Sequence, residues 1–436
     1  MNGTVKIKGG VRLTGEVEPI PNKNSVLAVL PACILTDKEV VYEKIPNTLD
    51  VEKLLEMLRL MGAKIKRGNG RVVINCSTMN SYKVDMTLGS QIRASLMLVG
   101  PLLSRFGKAE IPLPGGCVLG FRSIASHVRS FKKVGVRVEV KKDRVIFEAP
   151  KKQRKDLSVW QLEASPTSTE NLVMYLAGIE AESIVMDAAS EPHVSDLLRL
   201  LQKMGAEVEG VGSNRLKIKG KKLLGGAKFT VGPDFVDIAG YMVAAAVTNG
   251  RIVIKGANIP DIVDGLINWF ELFGVRVVRS KKDLIVSLAR PLEIDLTNHE
   301  VPLAAPGLPK LSPRPWPGFP VDVIPVMATL ACKTKGKLML QNWMYESGLE
   351  FVRELSAMGA NIFISDPQRV IIEGPVKFTG GEIMPPKVIQ AAKAIFLAAL
   401  ADKAETTIHG VGILQRRYPN IFKEYKKLGA KIEIDR

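Results

Sequence analysis

Cysteine and histidine are scarce, with four of each in 436 residues. Cys33, Cys76, Cys117 and Cys332 stand far apart with no CxxC pair, which argues against a disulfide framework or a zinc site. The histidines (His127, His193, His299, His409) are equally dispersed, so no metal centre is expected. Aromatic residues make up only 6%, and no aromatic-interleaved basic stripe of the single-strand-binding kind is present. No stretch approaches the roughly 20 uninterrupted apolar residues of a membrane span. The opening Met1-Asn2-Gly3-Thr4-Val5-Lys6 lacks the basic-then-apolar pattern of a secretory signal. A cytoplasmic protein with no membrane span and no nucleic-acid partner is the expectation.

Positive charge, by contrast, is abundant. Sixty-one Lys and Arg against 44 Asp and Glu leave +17, a balance that draws phosphorylated small molecules, nucleic acid or anionic surfaces. Much of it sits as pairs near helix ends, such as Lys132-Lys133 and Lys426-Lys427, which reads first as a solvated surface. Apolar residues at 46% and charged residues at 24% fit a globular chain, and its length calls for at least two domains.

One pattern returns six times: an amphipathic helix, an apolar residue, a glycine and then a strand-like alternation. The glycines are Gly62, Gly135, Gly205, Gly274, Gly359 and Gly429, spaced 73, 70, 69, 85 and 70 residues apart. Each stands where a helix C-cap needs a left-handed residue. The helix before it carries one apolar stripe, Val51, Leu54, Leu55, Leu58 and Met61 in the first copy. Upstream lies a second helix, apolar nearly all round and so destined for a core: Ser25–Leu35, Ile92–Leu103, Glu170–Ile179, Val236–Val247, Val323–Ala331 and Ile389–Leu400. The reading is an α/β fold of six βαβαββ-type units in two three-unit domains, 22–229 and 1–21 plus 230–436. The runs Val5–Lys8 and Val11–Val17 are expected to return to the second domain. The seven prolines between Pro302 and Pro320 mark an ordered loop inserted in the fifth unit.

The loops carry the differences between copies. Only the second holds Pro114-Gly115-Gly116-Cys117, with Gly120 and Arg122 following. This is either a turn with an incidental thiol or a thiol tuned by a nearby cation. Lys23-Asn24 and Ile92-Arg93-Ala94-Ser95 open core helices, where backbone N–H groups favour anions. Ser165-Pro166-Thr167-Ser168-Thr169 offers four hydroxyls, as a phosphate cradle or as helix caps. Asp322 opens the fifth core helix, and Arg416-Arg417-Tyr418 opens the last outer one.

Together these residues resemble the UDP-N-acetylglucosamine 1-carboxyvinyltransferases over nearly the whole chain. The marks are Lys23-Asn24, Arg93 with Gly100-Pro101, Leu113-Pro114-Gly115-Gly116-Cys117 with Arg122, Thr169-Glu170-Asn171, Glu191-Pro192, and Pro317-Gly318-Phe319-Pro320 with Asp322. The resemblance implies a two-domain inside-out α/β prism with its site in the cleft between the domains. It also implies transfer of enolpyruvyl from phosphoenolpyruvate to a 3′-hydroxyl, by a cytoplasmic monomer that needs no cofactor. Cys117 would donate a proton, Asp322 would act on the sugar hydroxyl, and Lys23, Asn24, Arg122 and Arg416 would hold phosphoenolpyruvate. Arg93, Arg122, Ser123, Ile124, Ala125, Ser126, Ser165, Pro166, Asp322 and Met344 would hold the UDP-sugar, with Asp50 and His127 lining the site. The pattern departs where Gly348 and Gln390 replace arginines and where Glu163 and Thr167 replace lysine and glycine. A different anionic acceptor, or a paralogue that binds without turnover, are the alternatives those departures leave.

Overall fold

The computed structural model describes residues 3–113, 123–294 and 308–435. Its contacts divide the chain into two compact units, one running from Pro21 to Gly232 and the other taking the first twenty residues with Pro233 onward.

The unit from Pro21 to Gly232 is built from three sheets around core helices. The shared plan is a strand that pairs in parallel with the strand before its core helix and, on its other side, with the hairpin that ends the repeat; the third sheet has it in full. Glu182–Met186, for example, pairs in parallel with Asp156–Trp160 and antiparallel with Arg215–Lys219, which pairs with Glu207–Glu209. Between the two parallel strands runs the core helix Pro166–Ala177, and the outer helix Pro192–Lys203 leads to Gly205. The first sheet is closed by the end of the unit: Ala227–Thr230 pairs in parallel with Val40–Glu43. The second has three strands, and a single bridge from Lys83 to Glu110 stands in the parallel position.

The other unit repeats this plan, and the N-terminal runs complete it. Thr14–Val17 is the parallel partner of Arg251–Ile254, while Thr4–Lys8 lies between Glu405–His409 and Lys431–Asp435. The proline-rich stretch also contributes. Lys310–Leu311 pairs in parallel with Gly336–Gln341, so the supposed loop supplies the edge strand of its sheet. Its earlier part, from Pro302 to Pro306, lies outside the described residues.

The physics behind the plan is uniform. Each sheet buries alternate residues, as in Arg215–Lys219, where Leu216 and Ile218 face the core and Arg215, Lys217 and Lys219 face water. Much of the positive charge therefore stands on outer sheet faces. The core helices are enclosed, and every residue of Phe235–Val247 is buried. That helix, Ile324–Lys333 and Ile389–Ala401 pack on one another. The six repeat glycines have φ between 87° and 103°, a conformation that L side chains adopt only at a cost.

Three helices differ from expectation. Ser25–Leu35 divides into an α-helix Lys23–Val29 and a 3₁₀ segment Leu30–Leu35, because Pro31 brings no N–H to an α ladder. The second core helix begins as 3₁₀ over Arg93–Leu98 and continues as α over Val99–Phe106. The last outer helix starts at Ile421 rather than Arg416, which caps the short helix Gly412–Gln415. Two cysteines distant in sequence also meet: Cys33 and Cys76 bring their Sγ atoms to 3.6 Å in the core, and burial pushes the Cys33 thiol well above its ordinary pKa.

Candidate functional site

In the unit from Pro21, the first core helix starts at Lys23. Asn22 caps it, its Oδ1 accepting the N–H groups of Asn24 (3.0 Å) and Ser25 (3.2 Å). The backbone donors expected to attract an anion there are thus taken by a side chain. What remains for an anion is the Lys23 ammonium, which donates to Asp50 Oδ2 at 2.8 Å. Asp50 is buried in the first turn of Leu49–Leu60, where the helix dipole favours a carboxylate.

Arg93 at the head of the second core helix donates from Nη2 to the carbonyl of Ser123 at 3.0 Å. The Ser123 hydroxyl accepts the N–H of Ala125 at 3.0 Å, setting the turn through Ile124 into helix Ala125–Lys133. His127 on that helix reaches Thr167 beside Ser165 and Pro166, Nε2 to Oγ1 being 3.1 Å. Three of the segments assigned to one ligand therefore do come together.

The state of His127 follows from its neighbours. Asn171 takes the Gly100 N–H on Oδ1 (2.6 Å) and gives an Nδ2 hydrogen to the Leu96 carbonyl (2.7 Å), which fixes its amide orientation. Nδ2 therefore also donates to His127 Nδ1, 3.2 Å away, and the ring proton is on Nε2, directed at Thr167. Burial, helped by the Arg93 charge, lowers the His127 pKa to about 3, so the ring is neutral. Two of the remaining hydroxyls in the Ser165–Thr169 stretch are committed to the protein itself. Ser168 and Thr169 are buried and bond to Gln161, while Ser165 makes no capping bond with its side chain. Beside them His193 Nδ1 stands 2.5 Å from Glu170, whose carboxyl burial raises.

The other unit gathers charge at the first turns of its core helices. Asp234 caps Phe235–Val247 through Oδ1, and its Oδ2 accepts from Arg417 Nε (2.9 Å) and Nη2 (2.7 Å). Arg417 Nη1 lies 3.8 Å from Asp322, so this buried guanidinium joins the expected base to Asp234. Burial alone would lower the Arg417 pKa, but Asp234, Tyr418 and Asp322 hold it above the ordinary value. One turn deeper, the fully buried Lys393 ammonium donates to Asp237 at 2.6 Å and sits 4.0 Å from the Tyr418 ring centroid. Burial pushes Lys393 down and Asp237 up, and their mutual attraction opposes both shifts. Arg416, which precedes Arg417 in the chain, is half-buried, and Met344 is half-buried in the segment after Gly336–Gln341. Cys117 and Arg122 lie outside the described residues.

Sequence reasoning missed Asp234, Asp237 and Lys393. The available signal was a lysine inside the run Ile389–Ala401, apolar apart from Gln390, where it has no surface to reach. No group of three or more potential metal ligands occurs among the described residues, and no helix among them is long and apolar enough to cross a membrane.

The architecture and these charged groups define a class that the comparisons identify. Residues 7–425 match the model of the EPSP synthase (3-phosphoshikimate 1-carboxyvinyltransferase) family. The chain belongs to this enolpyruvyl transferase family and is a transferase. Within it, the chain is a divergent relative of proteins named UDP-N-acetylglucosamine 1-carboxyvinyltransferase. It is 33% identical to that of Borreliella burgdorferi over 98% of both chains. It is 35% identical to that of Bradyrhizobium diazoefficiens over 98% of this chain and 97% of the relative. The fold matches the solved enolpyruvyl transferase NikO from Streptomyces tendae with a TM-score of 0.85 at 21% identity, covering 99% of each chain. It matches EPSP synthase from Acinetobacter baumannii with a TM-score of 0.77 at 18% identity, covering 100% of each.

Proposed function

We propose that this enolpyruvyl transferase uses phosphoenolpyruvate as donor and the 3′-hydroxyl of UDP-N-acetylglucosamine as acceptor, releasing phosphate in the first committed step of peptidoglycan synthesis. The observation that carries the acceptor is the likeness, over almost the full length, to relatives bearing that name. In this reading Lys23, Arg122 and Arg416 balance the charges of phosphoenolpyruvate, and Asn24 lies alongside. Asp50 holds the Lys23 ammonium in place. Arg93 and the 123–126 turn, with Ser165 and Pro166, receive the nucleotide, and Met344 borders the sugar.

The chemistry is an addition followed by an elimination. Asp322 takes the proton of the attacking hydroxyl, whose oxygen forms a bond to C2 of the enol, while Cys117 gives a proton to C3. Loss of a proton from C3 and of phosphate from C2 then restores the double bond. Arg417 stabilises the Asp322 carboxylate through the 3.8 Å approach. The test is phosphate release with phosphoenolpyruvate and UDP-N-acetylglucosamine. Release that needs both, and its loss in Cys117→Ser, is expected; no release with this pair sinks the reading.

A second reading, an enolpyruvyl transferase with another anionic acceptor, is favoured by Glu163 and Thr167. Glu163 is exposed at the mouth of the nucleotide stretch, and Thr167 is occupied by His127. Thermal-shift screening against nucleotide sugars and shikimate 3-phosphate distinguishes the two, since the acceptor raises the melting temperature.

A further inference from the structure

In the unit that begins at Pro233, a small cleft of about 40 Å³, room for a group the size of a few waters, opens beside Asp322. Among the described residues its lining holds no lysine, arginine or histidine. Carbon makes up most of the wall, from Pro325, Phe351, Val388 and Ala391, and the buried polar groups are two amides, Asn342 and Gln390. Two of its residues, Gly348 and Gln390, stand where the resembled family pattern has arginine.

The glycine at 348 is there for space. Its φ is not in the left-handed range, so the backbone suits any residue. A Cβ there would meet Asn342 Nδ2 at 2.2 Å. The amide of Asn342 thus occupies the volume that a side chain at 348 would need. Asn342 is itself only 2% exposed, and its Oδ1 has no hydrogen-bond partner among the described residues. A buried amide left unsatisfied costs free energy, and a half-turn about χ2 exchanges its donor and acceptor ends. Gln390 is better defined. Its Oε1 accepts from the Tyr418 hydroxyl at 3.3 Å, which leaves the Nε2 hydrogens for another partner.

We infer that this cleft is a subsite for a neutral amide- or hydroxyl-bearing group of the acceptor, read by Asn342 and Gln390 next to Asp322. An anion is disfavoured because, among the described residues, no cation lines the cleft while Asp322 and Glu350 do. A cation is disfavoured as well: Asp322 already faces Arg417, Glu350 is exposed to solvent, and the carbon walls would strip an ammonium of its water. The loss of arginine at 348 and at 390 is then one change of specificity rather than two separate defects. The inference rests on the proposed transfer reading only for calling the occupant part of the acceptor.

The experiment titrates the full-length protein, isotope-labelled in its side-chain amides, with acetamide, acetate and methylammonium. Resonances are assigned by their disappearance in Asn342→Leu and Gln390→Met. Acetamide is expected to move both amide signals, with the other two probes leaving them in place, and Gly348→Ala is expected to abolish the shift. Equal or larger shifts with acetate or methylammonium, or none with acetamide, overturn the inference. In steady-state assays Gly348→Ala is expected to raise the acceptor KM about three- to tenfold, the worth of one neutral hydrogen bond, and to leave the phosphoenolpyruvate KM unchanged. Acetamide binding without phosphate release removes the transfer reading and leaves the cleft standing, whereas phosphate release without acetamide binding removes only the cleft.

Discussion

Replacing Lys393 with methionine tests how charge is tolerated inside a carbon core. The lysine is fully buried, its ammonium 2.6 Å from Asp237. Its stem lies so close to Gly240 that a Cβ there would stand 2.3 Å from Lys393 Cε. Methionine fills the same groove without the charge, so packing is largely kept. What changes is Asp237, left with the Ile20 N–H at 3.1 Å as the hydrogen bond that holds its Oδ2. Breaking a buried pair from one side costs about 3–5 kcal/mol. An independent limit comes from protonation. Taking a carboxyl from its ordinary pKa of 3.8 to the neutral form at pH 7 costs about 4 kcal/mol at 1.36 kcal/mol per unit. The two figures agree, so Asp237 escapes by binding a proton once the penalty approaches that size.

This gives the prediction a pH signature. At pH 5 the same protonation costs only about 1.6 kcal/mol, so the deficit of Lys393→Met shrinks by more than half. Thermal melting of the full chain is the assay, and a loss of roughly 6–20 °C is expected at pH 7. Adding Asp237→Asn, which keeps an oxygen for the Ile20 N–H, should restore most of it, because a neutral pair replaces an unpaired charge. A single variant that melts within about 2 °C of the parent at pH 7, or a deficit that persists at pH 5, would refute the reasoning.

Much of the architecture can be read from repeated local chemistry. The six glycines declare themselves because a left-handed C′ residue has one inexpensive solution, and their spacing then reports the unit length. Alternation in runs such as Arg215–Lys219 marks one-sided sheets for the same reason. Contacts set by tertiary closure are harder to see. Nothing local to Lys83 announces that it bridges to Glu110, and nothing in Lys310–Leu311 separates an edge strand from the proline-rich stretch around it. The site divides in the same way. Lys23, Asp322 and Arg416 are proposed for it through a likeness of motifs. Arg417 and Asp234, 183 residues apart in sequence, become partners only when their helix ends meet. The hydroxyls of Ser168 and Thr169 were misread because their composition suits a phosphate cradle as well as a buried network around Gln161.

Other consequences are open to direct measurement. His127 is neutral in the folded state down to pH about 3, while the unfolded chain binds its proton near 6.5. Stability should therefore fall by about 1.4 kcal/mol for each pH unit below roughly 6, a contribution to acid unfolding that His127→Gln removes. Gly359→Ala places a Cβ at φ 100° and should cost about 1–2 kcal/mol in urea unfolding, whereas a substitution at Gly68, with open space around it, should cost less. Asp50→Asn weakens the charge-assisted hold on Lys23. It should raise the phosphoenolpyruvate KM by roughly ten- to a hundredfold with the acceptor KM unchanged, and equal effects on both would detach Lys23 from the donor.

The placement of buried polarity explains why a scaffold of six similar units needs so few distinctive residues. Much of the polarity of the core helices lies near their starts: Lys23, Arg93, the Thr167–Asn171 stretch, Asp234 with Asp237, Asp322, and Gln390 with Lys393. In the unit from Pro233 these ends converge, because Arg417 joins Asp234 to Asp322 while Lys393 joins the helices at 237 and 393. In the other, Asn171 reaches from the third core helix to the Leu96 carbonyl at the head of the second. Buried ion pairs contribute little net stability against well-packed carbon, and the later turns of the same helices, such as Ala394–Ala401, show that carbon suffices there. Folding therefore does not demand charge at the helix starts, which leaves those positions open to ligand chemistry. Substitution at those starts can change which ligand is accepted while the sheets, the glycines and the carbon of the core stay as they are. Gly348 and Gln390 border one of these polar ends, in the lining of the cleft beside Asp322.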